Sequence, residues 1–200
     1  MHIYRLIHIV LHPLLLPTYM IFFLFHSGSW LDALNPDARL YIYLVTATTT
    51  GVLPFASLLI LKRVGWISDY RLQDSKERRI PLMIWSLFAL TGAFVFIKAS
   101  APLIIALVFN SISIVLLICA MLTYFWKVSI YLVYLGAFAG IILTVSFKWM
   151  LDTRYWLALV FLLSGLLGFS RLRTQSHKPA DIYGGFGLGV VSFFLITYLI

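Results

Sequence analysis

The chain has 200 residues, of which 62% are hydrophobic and only 11% are charged. Its mean hydropathy of +0.99 excludes an ordinary water-soluble domain, which carries far less apolar sequence. The formal net charge of +8 is concentrated in a few short segments. On a membrane protein, such segments favour anionic lipid headgroups as partners and argue against nucleic acid.

The length of the apolar segments predicts the fold class. They run for about 20 residues, the length of a membrane-spanning helix, and they do not alternate as barrel strands would. Because lipid offers the backbone no hydrogen-bond partners, the sequence predicts an all-α, polytopic transmembrane bundle of about seven helices. We expect a single integral membrane domain, in which residues 1–62 form two N-terminal helices. Cys119 lies alone in an apolar segment and indicates neither a disulfide nor a metal cluster.

The first apolar segment covers residues 3–25. It is too long for a signal peptide and no small-residue cleavage site follows it, so we interpret it as a retained transmembrane helix. His8 and His12 share one helix face, a spacing that can bind a metal, but no third ligand is nearby. We therefore interpret them as a packing or interfacial pair. Pro13 and Pro17 predict a kink.

Six further apolar segments follow, at residues 40–61, 81–97, 102–124, 130–147, 155–169 and 182–200. Gly136 and Gly140 have the spacing of small residues at a close helix contact. Seven crossings place the amino terminus, residues 62–80, Lys127 and residues 170–181 on one side of the membrane. That side carries Arg5, Lys62, Arg63, Arg71, Lys76, Arg78, Arg79, Lys127, Arg171, Arg173 and Lys178. The excess of basic residues predicts that this side is cytoplasmic.

Residues 170–181 form the most polar stretch in the C-terminal half of the chain. If Pro179 occupies the first turn of the next helix, His177 and Asp181 lie one turn apart on the same face. A carboxylate beside an imidazole fixes its tautomer, and Arg171 upstream offers several N–H donors to an anion. The stretch therefore predicts an anion, a phosphate, held near a histidine.

The four residues Ser170, Arg171, His177 and Asp181 have the spacing Ser-Arg-x5-His-x3-Asp. This pattern matches in full the third signature of the type-2 phosphatidic acid phosphatase and haloperoxidase superfamily. The chain resembles small bacterial membrane members of that superfamily over roughly residues 70–200. The resemblance implies a phosphatase-like core in residues 63–200, no metal or other cofactor, and a place in the bacterial inner membrane.

The resemblance also implies a role for each residue of the signature. His177 would be the nucleophile that forms a phosphohistidine intermediate. Asp181 would orient His177, as the third member of a catalytic triad does. Arg171 would bind the phosphoryl oxygens and stabilise their charge in the transition state.

The other two signatures of the superfamily are altered here. The first is Lys-x6-Arg-Pro, and by position Lys76 and Arg79 are its nearest counterparts. The second is Pro-Ser-Gly-His, whose place is taken by the segment from Lys127 to Tyr131. Lys127 and Ser129 remain as phosphate ligands, whereas Tyr131 stands in place of the acid histidine. An unperturbed tyrosine has a pKa of about 10, and loss of a general acid typically slows a reaction about 10²–10⁴-fold.

These observations leave three functions to compare. The first is a lipid phosphatase acting on phosphatidate, phosphatidylglycerophosphate, a polyprenyl diphosphate or a lipid A phosphate. The second is a non-catalytic relative that binds a lipid headgroup or a partner protein. The third is a prenyl-transferring enzyme with Asp69 and Asp74 at a diphosphate site, but the chain has too few helices and no second aspartate motif. The sequence favours the first.

Overall fold

A computed structural model of the protein describes residues 8–70, 72, 74–175 and 177–199. Its regular structure within these ranges is helical, without strands. The α-helices are α1 (Leu16–Leu24), α2 (Pro36–Thr46), α3 (Leu53–Arg63), α4 (Ser75–Lys98), α5 (Leu103–Leu122), α6 (Ile130–Trp149), α7 (Arg154–Arg173) and α8 (Pro179–Leu199). Two basic residues assigned above to the cytoplasmic side, Arg5 and Arg71, lie outside these ranges.

Among the described residues, six helical segments are long and apolar enough to cross a membrane. One is the 28-residue segment Pro36–Arg63, in which α2 and α3 are joined by a wide π-helical stretch, Ala47–Val52. The other five are α4, α5, α6, α7 and α8. The protein is therefore an all-helical integral membrane protein, as the lengths of the apolar segments predicted.

The prediction of one continuous helix over residues 3–25 is wrong for the part that is described. Only Leu16–Leu24 forms a helix of more than one turn, and nine residues reach about 14 Å, half of the hydrocarbon core. The reason is the pair of prolines, since Pro17 lies in the first turn of α1 and Pro13 precedes it. Residues 3–7 of the predicted helix lie outside the described ranges.

The N-terminal segment, residues 8–30, nevertheless runs from one end of the bundle to the other. His8 lies beside Ser170 at the end of α7, whereas Trp30 stacks edge-on against Trp149 at the end of α6. Met20 and Phe23 of α1 are fully buried against the bundle. An interrupted segment thus takes the place of the predicted first span.

Helix α6 lies at the centre of the bundle and packs most closely against α8. A Cβ atom at Gly136 would overlap the backbone of Phe186, and one at Gly189 would overlap the backbone of Val133. Farther along, the hydroxyls of Thr144 and Thr197 are 2.7 Å apart and share a hydrogen bond. Close contact at Gly136 confirms the prediction from the spacing of small residues.

The helix order brings three connections to one end of the bundle: residues 123–129 and the described parts of residues 64–74 and 174–178. Contacts between them agree with this arrangement. Arg78 donates a hydrogen bond from Nη1 to the carbonyl of Val128 at 3.2 Å, and the N–H of Ser129 donates to the carbonyl of Asp181 at 3.1 Å. The expectation that the polar segments share one side is confirmed.

Candidate functional site

His177 and Asp181 lie where the sequence placed them, on either side of the start of α8. His177 is only 8% exposed. Its Nδ1 is 3.2 Å from the carbonyl oxygen of Lys127 and 3.5 Å from Oδ2 of Asp181. Because a carbonyl oxygen can only accept a hydrogen bond, Nδ1 carries the proton. The other ring nitrogen, Nε2, is therefore left with a lone pair in the neutral imidazole.

The surroundings of His177 keep its imidazole neutral. Burial, and then the positive charges of Arg171, Arg78 and Lys127, lower the pKa of His177 to about 4, although Asp181 acts in the opposite direction. At neutral pH the side chain is therefore uncharged and its Nε2 is available as a nucleophile.

Two hydrogen bonds hold the Asp181 carboxylate in place. Its Oδ1 accepts a hydrogen bond from Trp126 Nε1 at 2.8 Å, and its Oδ2 accepts one from the N–H of Lys178 at 2.9 Å. The second of these bonds caps the first turn of α8. The carboxylate is consequently fixed beside Nδ1 of His177, as an orienting group must be. Trp126 was not predicted, because a contact between residues 55 positions apart leaves no local pattern.

Arg171 and Tyr131 form a stacked pair across the helices α7 and α6. The guanidinium carbon of Arg171 lies 3.9 Å from the centre of the Tyr131 ring. The Nε of Arg171 is buried and has no hydrogen-bond partner among the described residues. Tyr131 thus supports the arginine that the sequence assigned to phosphate, and one donor of that arginine remains available.

At the start of α4, the residue that faces the site is not one of those that the sequence predicts. The altered first signature indicates Lys76 and Arg79 as the phosphate-binding residues. Lys76 is exposed, and the guanidinium of Arg79 lies 3.4 Å above the ring of Tyr124. Arg78 is instead the buried residue, at 7% exposure, and its charge reaches His177. Adjacent helical residues point about 100° apart, and spacing alone did not show which arginine of the pair faces inward.

Ser129 and Lys127 contribute in different ways. Ser129 is completely buried at the start of α6, and its Oγ has no partner in the described part of the chain. Lys127 fixes His177 through its backbone carbonyl, while its side chain is half-buried. A buried hydroxyl without a partner is costly, and a polar ligand that reached Ser129 would supply that partner.

The sequence interpretation did not place His8 and His12 in this site. The ring centres of His8 and His12 lie 5.8 Å and 5.7 Å from that of Tyr131, both at its edge. His8 Nε2 is also 3.2 Å from Ser170 Oγ. Their shared helix face was visible in the sequence, but the docking of the N-terminal segment against α6 and α7 was not.

The side chains described above form one polar cluster, in which positive charge exceeds negative charge. Arg78 and Arg171 are buried or half-buried, and neither forms an ion pair with any carboxylate that the structure describes. Burying such charges unpaired is expensive, whereas an anion bound between them would offset the cost. Within the described residues no three side chains are grouped as a metal site. The excess of buried positive charge suits this cluster to an anion.

No protein-family model, curated protein or solved structure matches this chain.

An apolar cleft adjoins the polar cluster. It has a volume of about 410 Å³ and lies between the N-terminal segment, α7 and Phe138 of α6. The N-terminal segment contributes Val10, Leu11 and Tyr19, and α7 contributes Leu159, Leu163 and Leu166. Val10 and Leu11 lie between His8 and His12 in the chain, so the cleft begins beside the polar cluster. The surroundings combine a place for an anion with a place for a hydrocarbon chain.

Proposed function

We propose that this protein is an integral membrane phosphatase that hydrolyses a phosphate ester or diphosphate of a lipid through a phosphohistidine intermediate. The observation that carries the proposal is the neutral, oriented imidazole of His177 beside two arginines without carboxylate partners. An anion-binding site needs the arginines but has no need of an aligned nucleophile. The resemblance to the phosphatidic acid phosphatase superfamily, carried by the spacing of Ser170, Arg171, His177 and Asp181, supports the same chemistry.

The proposed reaction begins with attack by His177 on the substrate phosphorus. The Nε2 lone pair forms the N–P bond while the P–O bond to the lipid breaks, and the bonding electrons leave on the lipid oxygen. Arg78 and Arg171 stabilise the charge on the other phosphoryl oxygens. Asp181 stabilises the positive charge that develops on the imidazole. Water then attacks the phosphorus, breaks the N–P bond and releases phosphate.

A lipid substrate is favoured over a soluble one by the position of the site. The polar cluster lies at the ends of membrane helices, and the apolar cleft beside it extends along α7. A hydrocarbon chain in that cleft would place its own headgroup phosphate near His8 and Arg171. The excess of basic residues at this end further favours a cytoplasmic site in the bacterial inner membrane.

The test is phosphate release by the purified protein in detergent from phosphatidate, phosphatidylglycerophosphate, a polyprenyl diphosphate and a lipid A phosphate. We expect turnover of at least one substrate, and His177→Ala is expected to abolish it. His26→Ala is the matched control, because His26 is exposed and stacks on Phe22 outside the polar cluster. Full activity of His177→Ala would refute the proposed nucleophile.

A second candidate function is supported by Tyr131, which stands at the position of the acid histidine in the superfamily. A protein that binds a lipid phosphate without hydrolysing it would keep the arginines and lose the acid. In that case the wild-type protein releases no phosphate. Arg171→Ala weakens binding of the lipid, whereas His177→Ala leaves this binding unchanged. Turnover that appears only in Tyr131→His would identify an intact phosphate site that lacks its acid.

A further inference from the structure

Breaking the P–O bond leaves a lipid oxygen that needs a proton. Tyr131 is poorly suited to supply it, because an unperturbed phenol, with a pKa of about 10, is a weak acid at neutral pH. An imidazole is the side chain whose proton is most easily given near neutrality. The question is whether the site holds a second imidazole besides His177.

The N-terminal segment brings two imidazoles to the edge of the Tyr131 ring. The ring of His8 is perpendicular to Tyr131 and that of His12 nearly so, and the charge of Arg171 reaches both. Neither histidine belongs to the stretch that resembles the superfamily. Both are delivered by residues 8–15, which precede the short helix α1.

Hydrogen bonds distinguish the two histidines. His12 Nδ1 accepts a hydrogen bond from the N–H of Leu14 at 3.3 Å, so its proton is fixed on Nε2. Protonating His12 on both nitrogens would break that bond, which makes His12 a poor carrier of an additional proton. His8 Nε2 instead faces the hydroxyl of Ser170 at 3.2 Å, which can both donate and accept. His8 can therefore gain and lose a proton at Nε2 without losing its partner.

We propose that His8 is the general acid of the reaction and supplies the proton that the second signature of the superfamily would otherwise provide. The inference rests on the proposed phosphatase function. As the P–O bond breaks, the Nε2 proton of the His8 imidazolium passes to the lipid oxygen and a lipid alcohol leaves. In the second step His8 Nε2 accepts a proton from the attacking water, which restores the imidazolium and completes the balance.

The electrostatic surroundings of His8 are consistent with this role. Burial, and then the charge of Arg171, lower the pKa of His8 below 6.5. A lowered pKa makes the imidazolium a stronger acid, and a bound phosphate would offset the charge of Arg171 and so favour protonation. The groups that face His8 are Ser170 and Arg171 of α7 and Tyr131 of α6.

The experiment compares a poor leaving group with a good one, because only the poor one needs an acid. The kcat/KM of wild type, His8→Gln, His12→Gln and His177→Ala is measured on phosphatidate and on nitrophenyl phosphate. We expect His8→Gln to lose about 10²–10⁴-fold on phosphatidate and far less on nitrophenyl phosphate. His12→Gln is the matched control, expected to affect both substrates equally and by less than about tenfold. His177→Ala should lose both activities.

The outcomes separate the two proposals. Equal losses of His8→Gln on both substrates, or a phosphatidate activity close to wild type, would overturn the role of His8 while the phosphatase function stands. Absence of wild-type turnover on both substrates would refute the phosphatase function and the role of His8 with it. Retained nitrophenyl phosphate turnover by His8→Gln shows that this variant is folded.

A pH profile supplies a second readout that a packing role would not move. In the wild-type protein, kcat/KM on phosphatidate should fall as pH rises through the pKa of His8, below 6.5. In His8→Gln this alkaline limb should be absent. If His8→Asn and His8→Gln both retain the limb, His8 is not the acid.

Discussion

Replacing Asp181 by Asn tests whether the carboxylate orients the nucleophile. Oδ1 of Asp181 accepts from Trp126, and Oδ2 accepts from the N–H of Lys178 beside Nδ1 of His177. An amide has one oxygen, so its NH₂ group must face one of these donors and one hydrogen bond is lost. Hydrogen bonds to a charged group are worth about 1.5–3 kcal/mol, which for a chain of this length lowers the Tm by about 3–12 °C.

The effect on turnover should exceed the effect on stability, because the variant loses the negative charge that stabilises the imidazolium developing on His177. We expect kcat on the best lipid phosphate to fall about 10⁴-fold, the loss found when the orienting carboxylate of a catalytic triad is removed. Asp152→Asn is the control, since Asp152 is exposed and its pairing with Arg154 contributes little. The assay is steady-state phosphate release with thermal unfolding in the same detergent. Turnover of Asp181→Asn within about threefold of wild type would contradict the orienting role.

Two further predictions concern the packing of α8 and the charge state of His177. Gly189→Ala should destabilise the protein by about 1–3 kcal/mol, because its Cβ would overlap the backbone of Val133. Gly187→Ala should not destabilise it, because no atom lies within 4 Å of the added Cβ. Thermal unfolding compares the stabilities of the two variants. His177 has a pKa lowered to about 4, so it stays neutral from pH 7 down to that value and is protonated, and inactive, below it. As pH falls, kcat/KM should therefore decrease near pH 4. A decrease near 6.5, the ordinary pKa of a histidine, would contradict this prediction.

Those features that depend on local spacing were predictable from the sequence. Six of the seven predicted apolar segments correspond to the long spans found among the described residues, and Pro179 placed His177 and Asp181 on the two sides of a helix start. The small-residue spacing at Gly136 predicted the close approach of two helices. Each of these follows from the 3.6-residue repeat of the helix and from the length of the chain between breaks.

The remaining features depend on contacts between distant parts of the chain. Arg78 rather than Arg79 faces His177 because of the rotation of α4, which is set by its packing against α5 and not by its own sequence. His8 reaches Tyr131 only after residues 8–15 fold against α7. Pro13 and Pro17 predict a kink in a continuous helix, whereas the structure has a break before the helix that begins at Leu16.

The glycine contact between α6 and α8 also determines which parts of the protein can move. With backbone packed on backbone, neither helix can tilt against the other without opening a gap, so Ser129, Tyr131, His177 and Asp181 behave as one rigid unit. Arg171 and His8 belong to α7 and the N-terminal segment, which border the apolar cleft on the other side. A lipid chain that enters the cleft would therefore displace the N-terminal segment and α7 more readily than the unit of α6 and α8, from which Phe138 also lines the cleft.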